Sequence, residues 1–314
     1  MKYKYDLHIV AVVEKGLLEE QIKLLINSIE QFVSPALNVK VIACSPRTGY
    51  TASSETIQFF KDKHVDYIDK PLNEKYDYFP LCNGIFSCDY VVNHYPDVSS
   101  ILLVDTDTLF LNPIEQDLLT KPAIYMRPVD NKGIGSEGEN DPNHKFWLKV
   151  YDHFGIQDIP DNIETTVSRE RILPYYNSGF VLASQCPEFM TQWKQDFITL
   201  MESDIRTDPT QSRHHVNYGF IEQMVLSISS LQTPTETLIP NTKYNYPIPF
   251  KPKLELRPNA VKFNESIHVH YHKWFQHPEF LDYVTDEIDK KTNQYKWLKQ
   301  QLPFSPQISG GFKC

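Results

Sequence analysis

Asp105 and Asp107 flank Thr106 immediately after the apolar run Ile101-Leu102-Leu103-Val104. Such a run reads as a buried strand, and in open α/β sheets ligands bind beyond the carboxyl ends of the strands. Two carboxylates one residue apart repel each other, a cost that a bound cation removes. Together they offer hard oxygen ligands to a Mg²⁺ or Mn²⁺ ion that also holds phosphate oxygens. For a bare Asp-x-Asp, a solvated turn capping the strand is the commoner explanation. The position directly after Val104 is what favours chemistry.

A second group lies near the carboxyl terminus. His268, His270 and His272 alternate along a predicted strand, Ile267 to His272, and so share one face, with Lys273 and Trp274 next. One imidazole would complete a metal shell, and Lys273 would neutralise a diphosphate. Two carboxylates, an imidazole and phosphate oxygens suit Mn²⁺ better than Zn²⁺. His270 is the expected ligand, with His268 and His272 as alternates. A half-exposed strand with polar residues facing water would give the same pattern. Between the two groups, Asn177-Ser178-Gly179 precedes a hydrophobic strand, either as a plain turn or as a place where a ligand approaches the backbone. Glu222-Gln223 opens an apolar helix, either as a first-turn acid favoured by the helix dipole or facing a reacting group.

These groups need a scaffold. Over the first hundred residues, short β-branched runs alternate with longer helical periods, the pattern of an α/β sheet built by crossover connections. Leu7 to Val13 reads as a buried strand. Leu18, Ile22, Leu25, Ile26, Ile29 and Phe32 then fall on one face of a helix ending near Ser34-Pro35. Val39 to Ala43 and Val65 to Ile68 are further strands, and a helix over Leu81 to Tyr95 leads into Ile101 to Val104. Residues 129–145, rich in Gly, Asn, Asp and Glu, are expected to form a mobile surface loop. Helices follow at Lys145 to Phe154, Glu188 to Met201 and Phe220 to Ser230. Gln232 to Phe263 carries six prolines and reads as an extended surface segment, before a long polar helix over Glu279 to Gln301. No internal repeat interrupts this order.

With 314 residues, 41% of them hydrophobic, the chain can bury a sizeable core without disulfides or structural metal. The formal net charge of -9 lacks the positive excess that nucleic-acid binding demands, so nucleic acid is excluded as a partner. Five scattered cysteines form no Cys-x-x-Cys pair and read as thiols in a reducing compartment. The apolar run Ile9 to Val13 is too short for a signal-peptide core or a membrane span. A cytoplasmic protein without an integral membrane segment is expected.

In chain order these features resemble the nucleotide-sugar glycosyltransferases of GT-A fold, particularly the retaining group that includes glycogenin and bacterial galactosyltransferases. Five elements carry the resemblance across nearly the whole chain: Asp105-Thr106-Asp107 after its strand, Asn177-Ser178-Gly179, Glu222-Gln223, Leu238 to Asn245 as a Leu-Pro-x-x-Tyr-Asn-like signature, and His270 to Lys273. No single element is specific, but the ordered set is. The resemblance implies an α/β protein, a Rossmann-like α/β/α sandwich around a mixed, mostly parallel sheet, with Asp-x-Asp ending a central strand. It implies one domain over residues 1–302, with a donor half, 1–128, and an acceptor half, 129–302, before a tail, 303–314.

By the same resemblance, Asp105 touches the donor ribose or the metal, while Asp107 and His270 bind the metal. Asn177, Glu222 and Gln223 line the donor sugar, Lys273 meets the diphosphate, and Val12, Val13 and Glu14 border the nucleoside base. Two departures stand out. The helix before the Asp-x-Asp holds Asn83-Gly84 and no Lys or Arg, and the Gly usual between the carboxyl-terminal His and Lys is absent from His270-Tyr271-His272-Lys273.

The implied reaction moves a hexose-type sugar from a nucleoside diphosphate sugar, UDP by family habit, to a glycan or other hydroxyl acceptor with Mn²⁺ or Mg²⁺. Breaking the anomeric bond releases an anion, so charge stabilisation on the leaving group is the largest catalytic term. Glu222 is the motif-linked carboxylate left to act as nucleophile or general base. The family group implies retention, while the residues leave the stereochemistry open. Residues 129–145 and the stretch Tyr244 to Phe250 are expected at the acceptor, where aromatic faces stack on sugars. The alternatives are a catalytically inactive nucleotide-sugar-binding relative and a haloacid-dehalogenase-type phosphotransferase. The latter expects Gly-Thr after its second Asp, where this chain has Thr108-Leu109.

Overall fold

The computed structural model describes residues 5–33, 37–207, 220–302 and 304. The helix end at Ser34-Pro35, Cys314 and, apart from Phe304, the tail 303–314 lie outside the described residues. The chain forms two compact units, each assembled from separated stretches. Met1–Pro71, Val104–Asp117 and Pro240–Cys314 make the first, and Leu72–Leu103 with Leu118–Ile239 the second.

Followed along its length, the chain begins in the first unit with β1 (Tyr5–Val12), α1 (Leu17–Phe32), β2 (Leu37–Ser45), α2 (Ser54–Asp62) and β3 (Asp66–Asp69). It passes to the second unit for α3 (Asn83–His94) and β4 (Ile101–Val104), and returns for β5 (Thr108–Phe110). The second unit then takes β6 (Ala123–Pro128), α4 (His144–His153), β7 (Ile163–Glu164), β8 (Arg171–Ile172), β9 (Tyr176–Ser184), α5 (Glu188–Glu202), α6 (Ile221–Gln232) and β10 (Thr237–Leu238). The first unit ends with β11 (Tyr246–Pro247), α7 (Lys251–Leu254), β12 (His268–His270), α8 (Phe280–Val284) and α9 (Asn293–Gln301).

In the first unit β1, β2 and β3 run parallel, with Leu7 opposite Val39 and Cys44 opposite Ile68. Leu7, Ile9, Val10 and Ala11 are all buried, the near-continuous apolar run expected of a parallel strand. On α1, Ile22, Leu25, Ile26 and Ile29 are buried, each contributing about 1.5–3 kcal/mol. That helix starts at Gly16, whose φ of 112° needs a residue without Cβ. The Glu19 carboxylate accepts the Gly16 N–H at 2.9 Å and the Ser53 N–H at 2.6 Å. Ser53 in turn caps α2 by accepting the Thr56 N–H. One carboxylate thus ties the starts of two helices. Burial pushes the Glu19 carboxyl up, but the hydrogen bonds from Gly16, Ser53 and Thr56 outweigh it and bring it to about 2.

A three-stranded sheet, β11-β12-β5, completes the first unit. Antiparallel pairing sets His270 opposite Thr108 and His268 opposite Phe110. Ser28 on α1 accepts the Phe110 N–H at 3.0 Å and donates to the Leu25 carbonyl, fixing α1 against β5. Pro247 sits in the edge strand β11, where a missing N–H is tolerated.

Three stretches differ from the sequence expectation for local reasons. The long helix over Glu279 to Gln301 is broken between α8 and α9, because the Asp286 carboxylate accepts the Ile288 and Asp289 N–H groups. Such side chains compete with the helical ladder. Asp289 also holds the buried Lys251 at 2.9 Å, and Thr292 caps α9. The proline-rich stretch runs over the surface at both ends but is folded inward in its middle, where Tyr244, Tyr246, Ile248 and Lys251 are buried. The histidine strand stops at His270, and His272 takes a left-handed φ of 54° that no strand accommodates.

In the second unit the strand order is β10-β6-β9-β4, with β10 parallel and β9 antiparallel to β6. All four residues of β4 are buried. Residues 129–145 are pinned: the Trp147 indole donates to the Ile134 carbonyl, Asn143 Nδ2 to the Gly135 carbonyl, and Asp141 accepts from Lys132 and from the Asn143 N–H. The short polar side chains that mark this stretch as a loop are the ones that satisfy its backbone.

Candidate active site

Asp105, Asp107, His270 and His272 meet within the first unit. The backbone of the Asp-x-Asp turn is held carbonyl by carbonyl. Thr108 Oγ1 donates to the Asp105 carbonyl at 2.5 Å, Tyr271 Oη to the Thr106 carbonyl at 3.4 Å, and the Tyr271 N–H to the Asp107 carbonyl at 3.0 Å. With the turn fixed, His270 Nε2 lies 3.1 Å from Asp107 Oδ1 and 3.9 Å from Asp105 Oδ2. His272 Nδ1 lies 3.6 Å from Asp107 Oδ2. The two imidazole rings are 4.2 Å apart between centroids. His270 is buried, and Asp105, Asp107 and His272 are each partly covered.

Burial, with the charge of Asp107 beside it, raises the Asp105 carboxyl above its usual value. Burial acts the same way on Asp107, but the His270 and His272 imidazoles outweigh it and hold that carboxyl well below the usual range. His268 is fully buried, its ring 4.9 Å from that of Phe110. Burial, reinforced by His270, pushes its imidazole well below the ordinary value. Neither His268 nor Asp105 is one of the three residues whose ligand atoms cluster within 4.8 Å, which are Asp107, His270 and His272.

The donor set fits a divalent cation. His270 Nδ1 is 3.2 Å from Asn245 Oδ1, and the neutral tautomer that donates there presents its Nε2 lone pair toward Asp107. Two acceptors hold 3.1 Å only with a proton or a cation between them. Bonds of about 2.1 Å to a first-row ion place neighbouring donors about 3.0 Å apart and opposite ones about 4.2 Å. The separations of 3.1, 3.6 and 3.9 Å fall within that span. An outer amide that orients a ligating imidazole is the usual second layer of such sites. Asn245 has a φ of 47°, a conformation that Asn tolerates better than most residues.

Val12, Val13 and Glu14 end β1 and its continuation, and the Val13 N–H donates to the Cys44 carbonyl at 2.8 Å. Glu14 is buried, and Arg47 takes both its oxygens, Nε at 2.6 Å and Nη2 at 2.5 Å. The Arg47 guanidinium lies 3.9 Å from the centroid of the Tyr50 ring. Sequence reading passes over Arg47 because nothing in its local turn, Ser45-Pro46-Arg47, marks a partner thirty-three positions away. Asn245 is legible only as one letter of a longer signature. Lys273 is exposed and forms no ion pair among the described residues.

Asn177, Glu222 and Gln223 belong to the second unit, where the fold links them. The Ser227 hydroxyl donates to the Gln223 carbonyl at 3.0 Å and accepts the Tyr176 N–H at 3.1 Å, joining the first turn of α6 to the start of β9. Asn177 Oδ1 accepts the Gly179 N–H at 2.8 Å, and Trp193 Nε1 donates to the Glu222 carbonyl. Glu222 is buried, and its charge, with burial as the larger cause, raises the fully buried Tyr175 phenol well above its usual value.

Residues 9–232 match the family described as the Rhodobacterales glycosyltransferase domain. The chain belongs to that family. This glycosyltransferase has no match among curated proteins. Among solved structures it is similar to mouse xyloside xylosyltransferase 1 in its apo form, at 11% identity and a TM-score of 0.44, over 85% of this chain and 98% of that one. Among the described residues of the glycosyltransferase, no helix is long and apolar enough to cross a membrane.

Proposed function

We propose that this glycosyltransferase moves a hexose-type sugar from a nucleoside diphosphate sugar, with UDP as the first donor to try, to a hydroxyl of a glycan or similar acceptor. Transfer retains the anomeric configuration and depends on Mn²⁺, or less well Mg²⁺, held by Asp105, Asp107 and His270. The observation that carries this is the approach of His270 Nε2 to both aspartates at the turn that follows β4. The catalytic domain spans residues 1–302, with a donor half, 1–128, and an acceptor half, 129–302. We expect it to work in a reducing cytoplasm, where the buried Cys44, Cys82, Cys88 and Cys186 would remain thiols.

When bound, the ion neutralises the departing diphosphate as a Lewis acid. Lys273, exposed and without an ion-pair partner among the described residues, meets the same diphosphate. Val12, Val13 and Glu14 border the base, and Arg47 keeps the Glu14 carboxylate in place. In the order of the family's motifs, Asn177 and Gln223 hold the sugar and Glu222 acts as nucleophile or general base. Tyr244 and Tyr246, expected at the acceptor from sequence, are buried and offer no stacking face. Residues 129–145 remain the acceptor element.

The test is diphosphate release and product formation from a panel of nucleotide sugars with Mn²⁺, together with the anomeric configuration of the product. Activity with one donor, lost in Asp107→Asn and reduced about 100- to 10,000-fold in Glu222→Gln, is expected. Undiminished turnover in Asp107→Asn would sink the proposal.

A further inference from the structure

We infer that His272 is a second imidazole ligand of the cation site, so that the site takes Mn²⁺ or a later first-row ion in preference to Mg²⁺ or Ca²⁺. The inference rests on the proposed function only in requiring a cation at Asp107 and His270. Three observations carry it. His272 Nδ1 is 3.6 Å from Asp107 Oδ2, on the opposite carboxylate oxygen from the one His270 approaches, and the ligand atoms of all three residues lie within 4.8 Å of one another. His272 holds a left-handed φ of 54°, which glycine would adopt without strain and which a histidine occupies at a cost. The conformation is fixed from outside, because Gln21 Nε2 on α1 donates to the His272 carbonyl at 3.2 Å while the preceding Tyr271 N–H is bound to the Asp107 carbonyl. Held there, the half-exposed ring stands beside that of His270, centroids 4.2 Å apart, with Nδ1 toward Asp107.

The third observation is the fate of His268. It is two residues from His270 along β12, yet it is buried against Phe110. The second imidazole therefore comes from the turn after β12, not from the strand. Mg²⁺ favours oxygen ligands and sheds water reluctantly, whereas imidazole nitrogen raises affinity progressively from Mn²⁺ along the first row. Asp107, His270 and His272 together fill three positions of an octahedral ion and leave about three for diphosphate oxygens and water.

The experiment uses the full chain stripped of metal and loaded with Mn²⁺ alone, without nucleotide. Electron spin-echo modulation of bound Mn²⁺ counts directly coordinated imidazole nitrogens, and competitive titration gives the Mn²⁺ to Mg²⁺ affinity ratio. The variants are His272→Gly and His272→Asn, both compatible with a left-handed φ, with apo melting temperatures reporting their fold. Two nitrogens are expected in the wild type and one in each variant, with Mn²⁺ affinity down about 10- to 100-fold and Mg²⁺ affinity nearly unchanged. An unchanged nitrogen count and affinity ratio in both variants overturns the assignment. If Asp107→Asn alone loses the ion, the cation site stands and His272 has no part in it. If the wild type binds neither ion, both proposals fall.

Discussion

At the scale of single residues, the site depends on pairs that are far apart in sequence, Glu14 with Arg47 and His270 with Asn245. Asn245→Ala removes the acceptor that orients His270, and Mn²⁺ affinity should fall about 10- to 100-fold with little change in melting temperature of the apo protein. Equilibrium titration checks this. Arg47→Met leaves the Glu14 carboxylate buried without its bidentate cation, and should destabilise the protein by about 3–5 kcal/mol in chemical denaturation. The double variant Glu14→Gln, Arg47→Met should lose less than the sum of the two single changes. Asp105, Asp107 and His270 were legible because they sit beside a strand signal or in an alternating pattern. Arg47 and Asn245 were not, since the pairs 14–47 and 245–270 are made by the fold and leave no local spacing. His272 falls between: its place in the chain was visible, but its left-handed backbone was not.

At the scale of elements, the parallel β1-β2-β3 order and the apolar face of α1 follow from hydrophobic periodicity, the strongest local signal. Element ends proved harder to read when side chains, rather than periodicity, decided them. Asp286 and Asp289 end one helix and Lys251 fixes the break, a contact between positions 38 apart. The starts of α1 and α2 depend on Glu19 in the same way. In the folded protein its carboxyl is held down at about 2, below its ordinary value of 4.5, so its contribution is fully present above about pH 4.5 and is lost as pH falls toward 2. Glu19→Gln should therefore lower stability at pH 6 by about 1.5–3 kcal/mol and reduce the steepness of acid unfolding between pH 5 and 2. Denaturant titrations at several pH values measure both; an acid profile identical to wild type would show that the carboxylate is not charged or not bonded as described.

At the scale of the whole molecule, a net charge of -9 sets the terms on which the proposed anionic donor would bind. Unless a cation compensates Asp105 and Asp107, two carboxylates face two phosphates, which is unfavourable at any separation within a Debye length. Nucleotide and ion should therefore bind together, each raising affinity for the other by the same factor. Saturation of a ligand at about 100 times its Kd adds about 2.7 kcal/mol to the stability of the folded state, a shift that thermal unfolding resolves. The measurement that tests the donor site most directly is calorimetric titration of UDP into the metal-free protein, the Mn²⁺-loaded protein and Asp107→Asn with Mn²⁺ present. A donor site built on Asp105, Asp107 and His270 requires binding in the loaded wild type, and at least about 100-fold weaker binding in the other two. Equal UDP affinity in all three would show that the Asp-x-Asp turn and its histidines do not hold the donor.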